Sequence, residues 1–290
     1  MTIIDFRVRL PEEVRPAATI GDYGRYDEVL GVEASRQRTT ADLLEDLRAN
    51  DISHAVVHAE YEHGDIADGL NEAVGILVDQ HSDLLSGFGT VSLDDSNVSR
   101  LVSQVRRCEE LGLVGINVQP AFFGRAIDDR ELYAVYGAAD EAGLMVAVHT
   151  GVNYDRSRPI DGEHPNRLDR VASNFRDLCL IACHAAWPWT TELVAVARRH
   201  PTVHFDFGGL APRYLGEPDT GWSTLFRMTD TLLREQALFA TDWPVFGTDR
   251  ALEQWRALPL RDASLKAVLG GNAASLLGDR RSSPWLGDTQ

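Results

Sequence analysis

Lysine is almost absent from this chain, and its scarcity excludes some chemistry. Lys266 is the only lysine among the 28 basic residues, and it lies in a late amphipathic stretch. We therefore do not expect a Schiff-base lysine or a lysine that bridges two metal ions. Runs of basic residues are also absent, and 44 acidic residues give a net charge of −16. Nucleic acid and anionic lipid are therefore not expected as partners.

Cysteine and long apolar runs are scarce as well. The three cysteines are odd in number and lack Cys-x-x-Cys spacing, which favours buried reduced thiols over a disulfide or zinc framework. No run approaches the roughly 20 apolar residues that cross a bilayer, and the start of the chain lacks a signal-peptide pattern. We predict a soluble cytoplasmic protein. Its oligomeric state stays open, a homo-oligomer included.

The feature that dominates the sequence is a series of short apolar runs separated by helical patterns. The runs cover residues 3–11, 55–59, 84–91, 114–118, 144–149, 178–184, 203–207 and 238–242. This alternation is typical of parallel α/β folds and, at this count and length, of a (β/α)₈ barrel. An open doubly wound sheet is the alternative, but no Gly-x-Gly-x-x-Gly follows a strand. We predict a single barrel domain over residues 1–290, with a long functional loop over residues 10–38.

The first run alternates apolar and charged side chains. The apolar set is Ile4, Phe6 and Val8, and the charged set is Asp5, Arg7 and Arg9. We expect the apolar set to face the helices and the charged set to face the barrel interior. An enclosed guanidinium needs an anion beside it. That anion is either a substrate carboxylate, in a binding site, or a protein carboxylate, in a structural network; the protein candidates are Asp5, Glu60 and Asp242.

Polar side chains collect where the predicted strands end, which is where barrel enzymes place their active sites. They are Arg7, Arg9, Glu60, Asn117, Gln119, His149, His184 and Asp242. Two histidines and a carboxylate can bind a metal ion or divide acid and base roles. Further arginines on this rim, which would attract anions, are Arg125, Arg156, Arg158 and Arg213. Flat apolar walls for a ring are offered by Phe122, Tyr154, Trp187, Trp189 and Trp243.

Five short strings, in this order and spacing, resemble the amidohydrolase superfamily over nearly the whole chain. They are Ile4-Asp5, Val148-His149-Thr150, residues 182–189, residues 239–244 and Gly271-Asn272-Ala273. The resemblance is to the amidohydrolase-2 branch, which includes aminocarboxymuconate-semialdehyde decarboxylase and pyrone-dicarboxylate lactonase. It implies a barrel with His149 and Asp242 at metal-ligand positions and His184 at a catalytic position.

The chain departs from that family on its first strand. Arg7 and Arg9 stand where the family has a His-x-His pair of metal ligands, and a guanidinium cannot ligate a cation. We therefore expect no cofactor; a zinc or manganese ion held by His149, His184 and Asp242 is the alternative. Within the branch the lactonase type works without a metal ion, so hydrolysis remains open to this chain.

The resemblance implies a metal-independent hydrolase of a small anionic substrate, a carboxylate-bearing cyclic ester or amide. Asp242 would activate water, while His184 or His149 polarises the carbonyl or donates a proton. The substrate would contact Arg7, Arg9, Asn117, Arg125, Trp187 and Trp243, with barrel packing the alternative for Asn117. Two other functions stay open: a decarboxylase or other lyase on a ring acid, with His184 as proton donor, and a barrel that only binds a ligand.

Overall fold

Eight parallel strands form one sheet whose order follows the chain. The computed structural model describes residues 1–14, 38–60, 67–153, 158–218 and 220–278. The strands are β1 Ile4–Arg9, β2 His54–His58, β3 Leu85–Gly89, β4 Gly115–Val118, β5 Met145–Val148, β6 Leu180–Ala182, β7 Val203–Asp206 and β8 Ala237–Leu238. The Phe6 amide donates to the Phe239 carbonyl at 2.9 Å, which joins the last strand to the first. The predicted (β/α)₈ barrel is confirmed.

Helices follow the strands and cover the outside of the sheet. They are α1 Thr40–Ala49, α2 Ala67–Gln80, α3 Val98–Glu110, α4 Leu132–Glu141, α5 Pro165–Asn174, α6 Thr190–Arg199, α7 Ser223–Thr229, α8 Thr248–Ala257, α9 Asp262–Lys266 and α10 Asn272–Gly278. Helix α1 begins at a capping box: the Thr39 hydroxyl accepts from the Asp42 amide at 3.1 Å, and the Asp42 carboxylate accepts from the Thr39 amide at 2.7 Å. Reciprocal caps of this kind satisfy amides that a helix start leaves unpaired. Most of the loop predicted over residues 10–38 lies outside the described residues.

The strands separate two apolar layers. The outer layer, between the sheet and the helices, contains Val8, Val57, Ile116 and Val146. The inner layer fills the barrel and contains Ile4, Phe6, Val56, Phe88, Met145, Ala147, Ile181, Leu238, Ala273 and Leu277. Each fully buried Val, Ile, Leu, Phe or Met side chain in this layer contributes about 1.5–3 kcal/mol to folding. Ala273 and Leu277 of the inner layer belong to α10. This helix, which closes the fold, therefore packs against the inner layer.

A bulge in β1 corrects the predicted alternation. The pairing with β2 shifts between Asp5 and Val8, so that the segment of β1 is one residue longer than its partner. Ile4 and Phe6 therefore belong to the inner layer, although the alternation predicted that they face the helices. Val8 faces the helices as expected. The physical reason is that a barrel of this size must fill its interior with side chains, and the bulge supplies an apolar residue before the arginines.

No helix among the described residues is long and apolar enough to cross a membrane.

Candidate functional site

Arg7 lies enclosed in the barrel, with its side chain 1% exposed. Its Nε donates to Asp206 Oδ2 at 3.1 Å, and both Nη atoms lie 3.3 Å from Asn117 Oδ1. Nη2 also lies 2.7 Å from the sulfur of Cys183. Burial raises the pKa of the Cys183 thiol well above its usual value although the charge of Arg7 opposes this, so the thiol stays protonated at neutral pH. Arg7 therefore contacts protein groups on β4, on β7 and directly after β6 rather than solvent.

Arg9 lies nearer the opening and bridges two carboxylates. Its Nε and Nη2 donate to the two oxygens of Asp242 at 3.2 and 2.8 Å, and its Nη1 lies 3.3 Å from Glu60 Oε2. The Arg9 side chain is 24% exposed, whereas those of Glu60 and Asp242 are 5% and 2% exposed. The protein carboxylates expected beside the arginines are thus present for Arg9, while Asp206 takes that place for Arg7. Asp5 pairs with neither guanidinium.

Asp242 is held in a fixed position just after β8. Its backbone has a φ of 57°, in the left-handed region, and its amide donates to the Arg7 carbonyl at 2.9 Å. Burial alone would raise the pKa of this carboxyl, but the charges of Arg9, His184 and Arg7 outweigh burial and lower it. Asp242 is therefore an anion throughout the neutral range.

His184 follows β6 on a left-handed turn, where His184, Ala185 and Ala186 have φ of 56°, 47° and 52°. Its Nδ1 lies 2.8 Å from the Gly208 carbonyl. Because a carbonyl only accepts, Nδ1 carries the hydrogen and Nε2 carries the lone pair when the ring is neutral. Burial lowers the pKa of His184, the charge of His149 lowers it further, and Asp242 opposes both. His184 is therefore suited to accept a proton.

The turn after β7 allows Asp242 and His184 to lie close together. Gly209 has a φ of 69°, and a Cβ placed there would lie 3.3 Å from Asp242 Oδ2 and 3.7 Å from His184 Nδ1. A side chain would thus both strain the backbone and press on the two groups. The same distances show that Asp242 and His184 stand beside one glycine.

His149 lies after β5 and completes the group of polar residues. Its ring centroid is 4.9 Å from that of His184 and 5.1 Å from that of Phe122, edge to face in both pairs. Its Nδ1 lies 2.6 Å from Glu163 Oε1. The structure therefore brings together His149, His184 and Asp242, as the sequence predicted for the strand ends.

Two carboxylates in this region were missed by the sequence reasoning. Asp206 is fully buried at the end of β7 and accepts from Arg7, from the His184 amide at 3.2 Å and from the Gly208 amide at 2.9 Å. An acidic residue at a strand end was a signal for it. Glu163 lies in a connection after β5, where the local sequence carries no such signal.

The remaining predicted contacts occupy varied places. Asn117 has both polar atoms engaged, since Oδ1 accepts from Arg7 and Nδ2 donates to the Ala59 carbonyl at 3.1 Å. Arg125 donates to Glu131 at 2.6 Å and to the Asp95 carbonyl at 2.9 Å. Trp187 is partly exposed and Trp243 is buried. Arg213 stacks on Tyr214, with 4.7 Å from its Cζ to the ring; Tyr154 and Arg156 lie outside the described residues.

A divalent metal ion does not fit the donors present. Arg7 and Arg9 offer no lone pairs, and both oxygens of Asp242 accept from Arg9. In the part of the chain that the structure describes, no group of three or more histidine, cysteine, aspartate or glutamate side chains could hold a metal ion. The set of His149, His184 and Asp242 is therefore not arranged as a metal site.

Comparison with known proteins places this geometry in context. The profile of a family described as amidohydrolase matches residues 5–278. A search of curated proteins found no match.

Three solved structures show the same fold. An uncharacterized TIM-barrel protein from Bordetella bronchiseptica has a TM-score of 0.80 at 23% identity, covering 97% of this chain and 99% of that chain. The 5-carboxyvanillate decarboxylase of Sphingomonas paucimobilis has a TM-score of 0.70 at 16% identity, covering 95% and 98%. A dihydroxybenzoic acid decarboxylase from Polaromonas sp. JS666, with bound manganese and the inhibitor 2-nitroresorcinol, has a TM-score of 0.71 at 14% identity, covering 97% and 98%. At these identities the likeness concerns the fold.

Proposed function

Because the chain belongs to the amidohydrolase family, whose profile matches residues 5–278, we propose that it is a hydrolase that opens a carboxylate-bearing lactone, or cleaves a related cyclic amide, without a resident metal ion. Family membership indicates an enzyme. The hydrolytic reaction, the substrate class and the absence of a metal ion are our proposal.

The observation that carries the proposal is the pair formed by Asp242 and His184. Asp242 is a fixed anion, and His184 presents the lone pair of Nε2 because Nδ1 donates to the Gly208 carbonyl. A water between the two groups would give its proton to this pair while its oxygen attacks the substrate carbonyl. When the ring C–O bond breaks, the proton returns to the leaving oxygen. No step of this reaction requires a metal ion.

Cationic and hydrogen-bonding groups around the pair would bind and polarise the substrate. His149 stands 4.9 Å from His184, ring to ring, and in its imidazolium form would donate a hydrogen bond to the developing oxyanion. Of the two arginines on β1, Arg9 is the one whose side chain is partly exposed, and we assign it to the substrate carboxylate or the oxyanion. Arg7 has almost no exposed surface, so we assign it a positioning role on Asp206 and Asn117. Phe122 packs edge to face on His149 and would offer a ring contact to the substrate, and we assign a second ring contact to Trp187.

A decarboxylase is the second candidate. Two of the structural relatives above are named decarboxylases, and a ring acid would suit the same cationic groups. Such a reaction with His184 as donor requires a proton on Nε2. In this chain the single hydrogen of neutral His184 is on Nδ1 and its pKa is lowered, which favours a proton acceptor there. The geometry thus supports hydrolysis better than decarboxylation.

The test is to offer the purified chain two matched panels, lactones that carry a carboxylate and aromatic ring acids. Ring opening is followed by acid release at constant pH, and decarboxylation by carbon dioxide release. We expect ring opening without carbon dioxide. Carbon dioxide release from a ring acid with no lactone opened would contradict the proposal in favour of a lyase, and turnover of neither panel would favour a barrel that only binds a ligand.

Variants tie the activity to the site. Asp242→Asn and His184→Gln should each lower kcat by about 10²-fold or more, because each removes a partner in proton transfer. The matched control is Asp249→Asn, which removes one exposed carboxylate from α8. Circular dichroism checks that all variants fold. Equal activity in all three variants would contradict the assigned roles.

A further inference from the structure

Glu163 is a fully buried carboxylate that the proposed reaction has not yet used. It is the last residue of a short 3₁₀ helix, Ile160–Glu163, and its side chain is 0% exposed. Its Oε1 lies 2.6 Å from His149 Nδ1, and its Oε2 is buried and has no hydrogen-bond partner among the residues that the structure describes. A buried carboxylate with an unpaired oxygen is costly, so the contact with His149 is its principal stabilising interaction.

The contact determines which nitrogen of His149 carries a hydrogen. A carboxylate accepts and does not donate, so the short Nδ1 to Oε1 contact places a hydrogen on Nδ1. The other ring nitrogen, Nε2, lies on the far side of the ring from Glu163. It makes no hydrogen bond within the described residues. Carboxylates that hold a histidine in this way fix both its tautomer and its orientation.

Two aromatic contacts hold the same ring from its sides. Phe122 meets the imidazole at an interplanar angle of 89°, and His184 meets it at 62°. A rotation of the His149 ring would lose the bond to Glu163 and disturb both packing contacts. The ring therefore has a single supported orientation, with Nε2 turned away from Glu163.

We infer that Glu163 is a positioning residue that orients His149 and makes Nε2 the atom that meets the substrate. The inference rests on the proposed function, because the imidazolium form of His149 would donate the hydrogen on Nε2 to the substrate carbonyl while the Glu163 carboxylate accepts from Nδ1. It adds a residue that no motif in the sequence indicates. It also gives the connection after β5 a part in the chemistry, since the 3₁₀ helix supplies the carboxylate.

The experiment uses nuclear magnetic resonance of the full chain labelled with ¹⁵N-histidine. The His149 signals are assigned by their loss in His149→Gln. We expect neutral His149 to be protonated on Nδ1, with a low-field proton signal from the short hydrogen bond to Glu163. Glu163→Gln removes the charge and should move that proton upfield, and Glu163→Leu should abolish the signal. The matched control is Asp161→Asn, which removes a carboxylate on the same 3₁₀ helix that pairs instead with Arg167.

Kinetics supply the second readout. Glu163→Gln should lower kcat for lactone opening by about 10- to 100-fold with a smaller change in KM, as is found when the carboxylate behind a functional histidine is removed. Asp161→Asn should leave both constants and the His149 signals unchanged. Rescue of part of the loss by Glu163→Asp would support the positioning role over a structural one.

The outcomes separate the inference from the proposed function. A neutral wild-type His149 that carries its hydrogen on Nε2 and a lone pair on Nδ1, or a His149 signal that is unchanged in Glu163→Gln, overturns the inference, and the wild-type spectrum decides this even if a variant fails to fold. A wild-type chain that shows the expected tautomer but opens no lactone contradicts the proposed function and supports the inference about the pair.

Discussion

At the scale of single residues, the two arginines of β1 have different surroundings although only Val8 separates them. Arg7 is enclosed by Asp206, Asn117 and Cys183, whereas Arg9 reaches the opening of the barrel. A buried ion pair stabilises little in net terms, because desolvation offsets attraction, but breaking it is costly. We therefore propose that Arg7 maintains the site and that Arg9 acts on a ligand.

Arg9→Gln tests this division through the pH dependence of activity. The positive charge of Arg9 is the largest of the influences that lower the pKa of Asp242, so its removal raises that pKa. Asp242 would then take up its proton at a higher pH, and the acid limb of the kcat/KM profile should shift to higher pH. Because the charges of Asp242 and His184 shift each other's pKa, the limb reports the pair. The control is Arg107→Gln, which breaks a surface pair with Glu72; an acid limb that stays in place in Arg9→Gln would contradict the electrostatic role.

The sequence predicted the strand-end residues but not all of their partners. His149, His184 and Asp242 converge because parallel strands of a barrel end on the same side. Asp206 was missed although it lies at a strand end, because its pairing with Arg7 depends on the register of strands across the barrel. Glu163 was missed because its position depends on the path of a connection, about which the local sequence pattern contains no information. The roles of the predicted residues remain predictions.

At the scale of elements, the site is built on connections with unusual backbone. The turns after β6 and β8 hold non-glycine residues in the left-handed region, and Gly209 follows β7 with a φ of 69°. Such conformations cost energy and persist only where the surroundings enforce them. Apolar periodicity located these strands in the sequence, but it contains no information about the turns, which were predicted only as strand ends.

Gly209→Ala tests whether the turn after β7 shapes the site. The added Cβ would strain the backbone by about 1–2 kcal/mol and press on Asp242 Oδ2. We expect a lower free energy of unfolding and a clear loss of kcat. The matched control is Gly221→Ala, where φ is 80° and an added Cβ meets nothing within 4 Å. It should lose similar stability and keep its activity; equal loss of kcat in both variants would show that strain alone is responsible.

The seam between β1 and β8 depends on Asp5. Its carboxylate accepts from the Thr241 hydroxyl at 2.6 Å, the Thr241 amide at 3.0 Å and the Arg7 amide at 3.2 Å. Burial raises the pKa of Asp5 from 3.8 to about 7, although the Thr241 hydrogen bonds oppose this. Burial of this carboxyl in the seam therefore favours the protonated form of Asp5.

Asp5→Asn should flatten the dependence of stability on pH. A raised native pKa gives a contribution that is complete below 3.8 and is lost as the pH rises through about 7. That interval corresponds to about 4 kcal/mol. The measurement is urea unfolding of wild type and variant at about pH 4.5 and about pH 7.5. The wild-type advantage should shrink at the higher pH; Asp79→Asn, an exposed carboxylate on α2, should show no such change.

At the scale of the whole molecule, the fold was the most predictable feature. Eight apolar runs with helical patterns between them specify a barrel. The prediction was wrong for Ile4 and Phe6, which face the barrel interior and not the helices, because an added residue in β1 breaks strict alternation. A bulge depends on how the neighbouring strand pairs, which the pattern of a single strand does not contain.

Metal content is the prediction for the molecule as a whole. The donors do not fit a divalent ion, so elemental analysis of the untreated protein should find zinc and manganese far below one equivalent. Treatment with a chelator should leave lactone opening unchanged, and added manganese should not raise it. A stoichiometric metal ion whose removal abolishes activity and whose return restores it would contradict the prediction.

The apolar inner layer limits the routes by which a substrate could enter the site. Ile4 and Phe6 pack with the closing helix α10 in an apolar layer that fills the barrel below Arg7 and Arg9. Within the described residues, this layer leaves the carboxyl ends of the strands as the side on which the site is open to solvent. Substrate and product would then enter and leave through the same opening, and we expect the hydrolysed product to act as a competitive inhibitor.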